Sequence, residues 1–347
     1  MGVLVAQLGT PDEPTPRALR RYLKQFLSDM RVVDYNPFLW QLLLRLIILN
    51  TRPRKSARLY QRIWLPEGSP LLVYSEQQVA GLQARLGDGY RVVLGMTYGN
   101  PSIGSAIQSL EDVGIDRILV FPMYPQYSSS TTASVYDAVN RAAFGRRCPL
   151  FFDRKRSAPT LRFVEPYYDH PAYIEALKQA ITDYLAEQDQ APDKYLFSFH
   201  GIPRRYAKTG DPYHKQCEVS AQLLATSLGL AESDWQLTYQ SRFGPEPWLQ
   251  PYTDETIEAY GKNGIRRLLA ACPGFTTDCL ETLDEIGNEG GELFHKAGGG
   301  ELMLAPCLNA HPAWLDAMTA IVRQETEGWL ARPRGATALP YHSEAAD

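Results

Sequence analysis

The sequence predicts an α/β fold of two successive halves, each a parallel sheet flanked by helices, with a ligand cleft between them. Short apolar runs alternate with helical periods of about ten residues, the pattern of βαβ units and parallel sheets. That alternation occurs once before residue 160 and again after it. Several runs end in Gly, Pro or hydroxyl-rich turns, and open α/β sheets bind ligands at the carboxyl ends of their strands. The length of 347 residues fits about two domains.

Bulk composition excludes several classes. Apolar residues are 44% and charged residues 21%, as in ordinary soluble proteins. Lys plus Arg are 35 against 39 Asp plus Glu, a net charge of −4 that argues against a general nucleic-acid binder. Cys148, Cys217, Cys272, Cys279 and Cys307 are an odd count without a C-x-x-C pair, which suits reduced thiols in a cytosolic protein. Met1–Thr10 lacks a basic n-region and is too short for a signal segment. No run reaches the ~18 apolar residues of a spanning helix. Neither G-x-G-x-x-G nor G-x-x-x-x-G-K-[ST] occurs, so nucleotide binding has no motif support.

In the first half, Val3–Leu8 is a strand closed by Gly9-Thr10-Pro11. Thr15 can cap a helix with Pro16 at its first position and Leu19, Tyr22, Leu23 and Phe26 on one face. Phe38–Leu49 is the most apolar segment, broken only by Gln41 and Arg45 and followed by Arg52, Arg54, Lys55 and Arg58. Such a helix is either buried core or an exposed lip touching a membrane or an apolar ligand. After the Gly68-Ser69-Pro70 turn come a helix over Ser75–Leu86, a strand over Tyr90–Met96, a helix over Ile103–Gly114 and a strand over Arg117–Pro122. The last runs into Tyr124-Pro125-Gln126-Tyr127-Ser128-Ser129-Ser130-Thr131-Thr132. This loop can simply cap the next helix, or it can form a polar, aromatic wall at the ligand edge. Cys148–Pro166 reads as a connection carrying short strands.

The second half repeats the pattern, with helices over Pro171–Gln188, Cys217–Leu228 and Asp254–Asn263 and strands over Tyr195–Phe199, Gln236–Tyr239 and Arg267–Ala271. His200 ends the first of these strands, followed by Gly201 and Pro203. A strand-end imidazole can bond a nearby carbonyl, or serve as a base or metal ligand. Gln240–Pro251 holds three prolines and a glycine, a rigid loop in which Trp248 is either core or a wall for a flat ligand. After Cys272-Pro273-Gly274, Asp278 can cap a helix that carries Glu281, Glu285 and Glu289 at i, i+4, i+8 on one face. A row of acids is commonly a solvated face, yet aligned carboxylates repel, and this row starts at a strand's carboxyl edge. One imidazole with carboxylates suits a borderline divalent ion such as Fe²⁺, and equally an acid/base pair.

The chain resembles the ferrochelatases, which insert ferrous iron into a porphyrin in the last steps of heme synthesis. The likeness runs from Val3 to about Met318 through seven motifs in family order. They are Gln7–Pro11, Gly68-Ser69-Pro70, Tyr124–Ser128, Phe199–Pro203, Gly210-Asp211-Pro212-Tyr213, Pro247-Trp248-Leu249 and Asp278–Leu283. The resemblance implies two Rossmann-like, chelatase-type halves: residues 1–160 with an apolar active-site lip at about 26–58, and 161–330 with the catalytic residues, followed by a flexible tail, 331–347. It implies His200 and Glu281 as catalytic and metal-contacting residues, and Glu285 and Glu289 as an ion path. Porphyrin-binding positions fall on Leu8, Tyr60, Arg62, Ser69, Tyr127, Ser128, Ser130 and Trp248.

The substrates implied are protoporphyrin IX and Fe²⁺, with no permanently bound cofactor and no nucleic acid. The implied location is cytoplasmic, with peripheral contact at the inner membrane surface through the lip. Some relatives hold a [2Fe–2S] cluster on Cys residues in this loop and beyond the catalytic half. Here the loop has Ser129 and no Cys follows Cys307, so no such cluster is expected. Cys279 stands where many relatives have His, and Thr97, beside Tyr98, where some have Arg, so neither role transfers. Two other functions fit the same architecture: a non-catalytic tetrapyrrole or heme carrier, and a chelatase for another metal or tetrapyrrole such as coproporphyrin. Intact His200 and Glu281 favour the enzyme.

Overall fold

In the computed structural model, residues 1–145 and 157–329 are described, with the backbone of 147–148 and 151–152. The expected flexible tail, 331–347, lies outside the described residues.

The first half opens with β1 (Gly2–Gln7), every residue of it buried. Helix α1 (Pro16–Phe26) starts where expected: the Thr15 hydroxyl accepts from Ala18 N at 3.3 Å, and Ala18, Leu19 and Tyr22 are buried. The apolar segment forms α2 (Pro37–Leu43), a π-helical turn over Leu44–Ile48, and α3 (Leu49–Ile63). Then come α4 (Pro70–Leu86), β2 (Arg91–Met96), α5 (Ile103–Glu111), β3 (Arg117–Pro122) and α6 (Thr132–Phe144). An antiparallel pair, β4 (Arg147–Cys148) and β5 (Phe151–Phe152), precedes β6 (Thr160–Phe163). The sheet runs β2-β1-β3-β6, all parallel. The connection after α6 therefore supplies its fourth strand.

The second half contains α7 (Pro171–Ala186), β7 (Lys194–His200), α8 (Arg204–Lys208), α9 (Tyr213–Ser227), β8 (Trp235–Gln240), α10 (Thr253–Lys262) and β9 (Arg267–Ala271). A π-helix over Glu281–Gly290 follows, then α11 (Gly291–Lys296), β10 (Glu301–Leu304) and α12 (Pro312–Glu325). Its sheet runs β10-β9-β7-β8, also parallel.

Strand β10 and helix α12 are not among the elements expected from sequence. Helix α12 buries Trp314, Leu315, Met318, Ile321 and Val322 and crosses back to the first half. Arg85 Nε lies 2.6 Å from Asp316, and the hydroxyls of Tyr90 and Thr326 are 2.9 Å apart. The Trp314 ring centroid is 6.4 Å from that of Phe121, 5.9 Å from Tyr167 and 6.1 Å from Tyr173. One core thus runs through both halves. Burying each such ring contributes roughly 2–3 kcal/mol, so the core resists separation of the two sheets.

The apolar segment is a lip and not a core helix. Phe38 is 78% exposed and Leu46 63%, and Leu39, Leu42, Leu43 and Ile47 are exposed with them. Only its inner side is held, by Leu44 and Leu49 against Leu27 and Val33 and by Trp40 Nε1 donating to Leu27 O at 2.6 Å. At its root Arg205 grips both Asp34 and Glu246, and Tyr35 donates to Glu246 at 2.8 Å.

Candidate active site

His200 is the last residue of β7, in register with Gln240 of β8. Gly201 N donates to Gln240 O at 2.8 Å and keeps the two strand ends together. A Cβ on Gly201 would stand 2.9 Å from that oxygen and 3.1 Å from the Trp248 ring, so only glycine allows this approach. His200 Nδ1 lies 2.6 Å from Gly201 O. A carbonyl can only accept, so Nδ1 carries a proton, and in the neutral ring the lone pair falls on Nε2.

The acidic helix is π-helical from Glu281 to Gly290, where an α-helix was expected. π-Helical turns are rare and are frequently found at functional sites. Asp278 does not cap it with its side chain, a second correction. Its buried carboxylate accepts from Thr282 Oγ1 at 2.8 Å, Asn309 Nδ2 at 2.7 Å and Cys307 N at 3.3 Å. These bonds tie the start of the helix to the loop after β10. The strand edge holds the helix from the other side. Gln240 Nε2 donates to Glu281 O at 2.7 Å. Ser241 donates to both oxygens of Glu285, from N at 2.7 Å and from Oγ at 2.5 Å. Ser241 adopts φ 65°, a left-handed conformation costly for a residue with a Cβ, and the paired donation to Glu285 offsets that cost. Burial pushes the Glu285 carboxyl above the ordinary range, and the charge of Glu281 acts the same way, while Ser241 and His200 oppose it. Glu289, one turn further on, is exposed.

His200 and Glu281 line one cavity of about 1060 Å³, open to solvent on one side. Leu8, Tyr60, Ser69, Ser128 and Ser130 line it with them. The hydroxyls of Thr10 and Ser69 lie 2.7 Å apart, and Tyr22 donates to Gly9 O at 3.1 Å. Burial first, then neighbouring charge including that of Glu281, pushes the Tyr22 and Tyr60 phenols up and keeps both neutral. The Tyr124–Thr132 loop is fastened from the second half. Asp211 accepts from Ser128 Oγ at 3.0 Å and Ser129 N at 2.8 Å, Gln216 Oε1 accepts from Tyr127 N at 2.7 Å, and Gln126 donates to Ser220 at 2.8 Å.

Three sequence-predicted positions and the ion path lie elsewhere. Trp248 is buried beside an adjoining cavity of about 510 Å³ that shares His200 and Ser130, and its ring centroid is 4.9 Å from that of Phe243. Tyr127 borders an outer groove with Met30 and Arg31. Arg62 is not among the cavity residues; it pairs with Asp284 at 3.1 Å. Glu285 and Glu289 do not line the cavity but lead from Glu281 toward solvent along the π-helix. Tyr22, Tyr213 and Phe275 line the cavity without being expected there from sequence, whereas Tyr124 belongs to the loop expected to form an aromatic wall. Tyr22 had been assigned to a helix face, and the others sit inside quoted motifs or the turn after β9, where their direction depends on the packing of both halves.

The family model described as Ferrochelatase matches residues 1–326. A ferrochelatase of Alcanivorax borkumensis is 48% identical over 334 residues, 95% of each chain. One of Hamiltonella defensa is 50% identical over 322 residues, 93% of this chain and 98% of that one. Among solved structures, SirB from Bacillus subtilis with Fe3+ shares the fold at 12% identity, with a TM-score of 0.54 over 93% of this chain and 94% of that one. With a family model across nearly its whole length and relatives at about half identity, the chain belongs to the ferrochelatase family, the lyases that insert ferrous iron into a porphyrin in heme biosynthesis.

Proposed function

We propose that His200 and Glu281 together carry out metal insertion into protoporphyrin IX. The observation that carries this reading is the 2.6 Å bond from His200 Nδ1 to Gly201 O, which in the neutral imidazole makes Nε2 the lone-pair nitrogen of a residue lining the cavity. Insertion requires removal of two pyrrole N–H protons and of water from the ion. A neutral imidazole accepts a proton near neutral pH. Glu281 offers a carboxylate that either receives a proton or contacts the ion. The apolar and aromatic walls grip the ring, and binding energy there can bend it so that its nitrogen lone pairs turn toward the metal.

Among the described residues no group of three or more His, Cys, Asp or Glu side chains converges on a metal position. That suits an ion in transit, because a closed protein cage would compete with the macrocycle nitrogens. Glu285 and Glu289 provide the outward branch, conducting iron inward or protons outward. Trp248 belongs to the same reading as a wall of the adjoining space. Ser129 in the loop supports function without a [2Fe–2S] cluster. No helix of the described residues is long and apolar enough to cross a membrane. The exposed lip with Arg45, Arg52, Arg54, Lys55 and Arg58 exposed beside it fits peripheral contact with an anionic membrane surface from the cytoplasmic side.

The test is His200→Ala, assayed by fluorescence-monitored zinc insertion into protoporphyrin and by iron insertion. We expect porphyrin affinity within about tenfold of wild type, ~1.4 kcal/mol. The kcat should fall at least ~10²-fold, as for a lost general base. A folded variant with near-normal turnover refutes the assignment.

A further inference from the structure

Six carboxylates crowd the stretch that carries Glu281: Asp278, Glu281, Asp284, Glu285, Glu289 and Glu292, with no Lys or Arg between 278 and 292. Asp284 is the awkward member. It is 1% exposed, lies between Glu281 and Glu285 on the π-helix, and needs a partner for its charge. Asn288 Nδ2 donates to it at 2.9 Å, but that donor is neutral. The cation comes from another element. Arg62, in the last turn of α3, places Nε 3.1 Å from Asp284 Oδ1, and its other end reaches Glu292 at 3.9 Å. Helix α3 is continuous with the exposed lip, and two residues before Arg62 it supplies Tyr60 to the cavity. One ion pair therefore joins the lip helix to the helix that bears Glu281.

We propose that Arg62 is a positioning residue for iron insertion: by neutralising buried Asp284 it docks the acidic π-helix against α3 and so fixes where Glu281 stands in the cavity. Arg62 does not need to touch the porphyrin for this. The inference rests on the reading of Glu281 as a reacting group, and it predicts a signature that a substrate contact would not produce. Without Arg62, Asp284 is an unpaired buried charge beside two other carboxylates, and the helix shifts to expose it. Removing that charge as well relieves the cause.

The experiment compares Arg62→Gln, Arg62→Lys, Asp284→Asn and the double variant Arg62→Gln/Asp284→Asn in zinc and iron insertion, with kcat and the KM for each substrate measured separately. Arg62→Gln should lower kcat about tenfold while the porphyrin KM stays within about twofold, the pattern of a misplaced reacting group. Arg62→Lys, which keeps the charge, should lose less. The double variant should recover kcat to within about threefold of wild type, a non-additivity expected only of residues that act on one another. A porphyrin KM raised tenfold at unchanged kcat would make Arg62 a contact for the substrate's carboxylates and overturn the proposal. So would wild-type kinetics in Arg62→Gln, or a loss of activity or folding that Asp284→Asn does not repair. Failure of the underlying reading looks different: Glu281→Gln would then retain turnover while the Arg62–Asp284 coupling persisted.

Discussion

At the scale of single residues, the site depends on how backbone groups orient side chains. Gly201 supplies the carbonyl that selects the His200 tautomer, and Ser241 holds both oxygens of Glu285. Glu281 differs from its two followers in where it lies: it lines the cavity, Glu285 sits half-buried behind it, and Glu289 is exposed. Position therefore predicts an order of effects. Were Glu281 only a first-turn acid, Glu281→Gln would cost at most about 1 kcal/mol of stability and little activity. As a reacting group it should keep folding and porphyrin binding, since Gln has nearly the same shape, and lose kcat by ~10²-fold or more. Glu285→Gln and Glu289→Gln should act more weakly and mainly raise the KM for metal. Steady-state kinetics of the three variants check this, and a Glu289 variant more impaired in kcat than the Glu281 variant contradicts it.

At the scale of elements, the π-helix and the lip do different work. The π-helix is held from three directions: by the Gln240–Ser241 strand edge, by Asp278 through Asn309 and Cys307, and by Arg62 from α3. Such constraint suits a rigid support for a reacting group. The lip is tied only along its inner side and at its root, and its outer face is apolar with basic residues beside it. That combination predicts reversible binding to anionic bilayers that weakens as salt screens the charges. Leu43→Glu with Ile47→Glu should reduce co-sedimentation with anionic liposomes at low salt by severalfold, without changing the fold by circular dichroism, because both side chains are exposed. If the wild-type protein does not co-sediment, the lip serves porphyrin alone.

At the scale of the whole molecule, the two sheets act as one body because segments of each half complete the other. Helix α12 returns to the first half through Trp314, Asp316 and Thr326. In the opposite sense, Asp211 and Gln216 of the second half hold the Tyr124–Thr132 loop of the first. Asp211 is buried and accepts from Ser128 Oγ, Ser129 N and Tyr213 N. Asp211→Asn keeps its shape but weakens these charge-assisted bonds, at a cost of about 1–3 kcal/mol in stability. Ser128 and Ser130 line the cavity, so the same variant should raise the porphyrin KM several-fold. Thermal denaturation together with the porphyrin KM checks this. A loss of stability with unchanged KM would mean that the loop's seat does not matter to the ligand.

The sequence by itself determined the elements whose causes are local. Short apolar runs specified β1, β3, β7 and β9; Thr15-Pro16 specified where α1 starts; and His200 at a strand end and the acids spaced by four were visible without coordinates. Tertiary structure decided what depends on partners distant in the chain. Periodicity cannot separate a π-helix from an α-helix when a spacing of four keeps the acids together in either, and the residues that anchor it, 62, 240, 241 and 309, are distant in the chain. An apolar stretch has the same composition whether buried or exposed, and it is a lip because, among the described residues, no element covers Phe38 and Leu46. The family resemblance put Arg62 among the porphyrin-binding positions and could not show it as the partner of Asp284, because the destination of a long cation depends on which buried charge needs it.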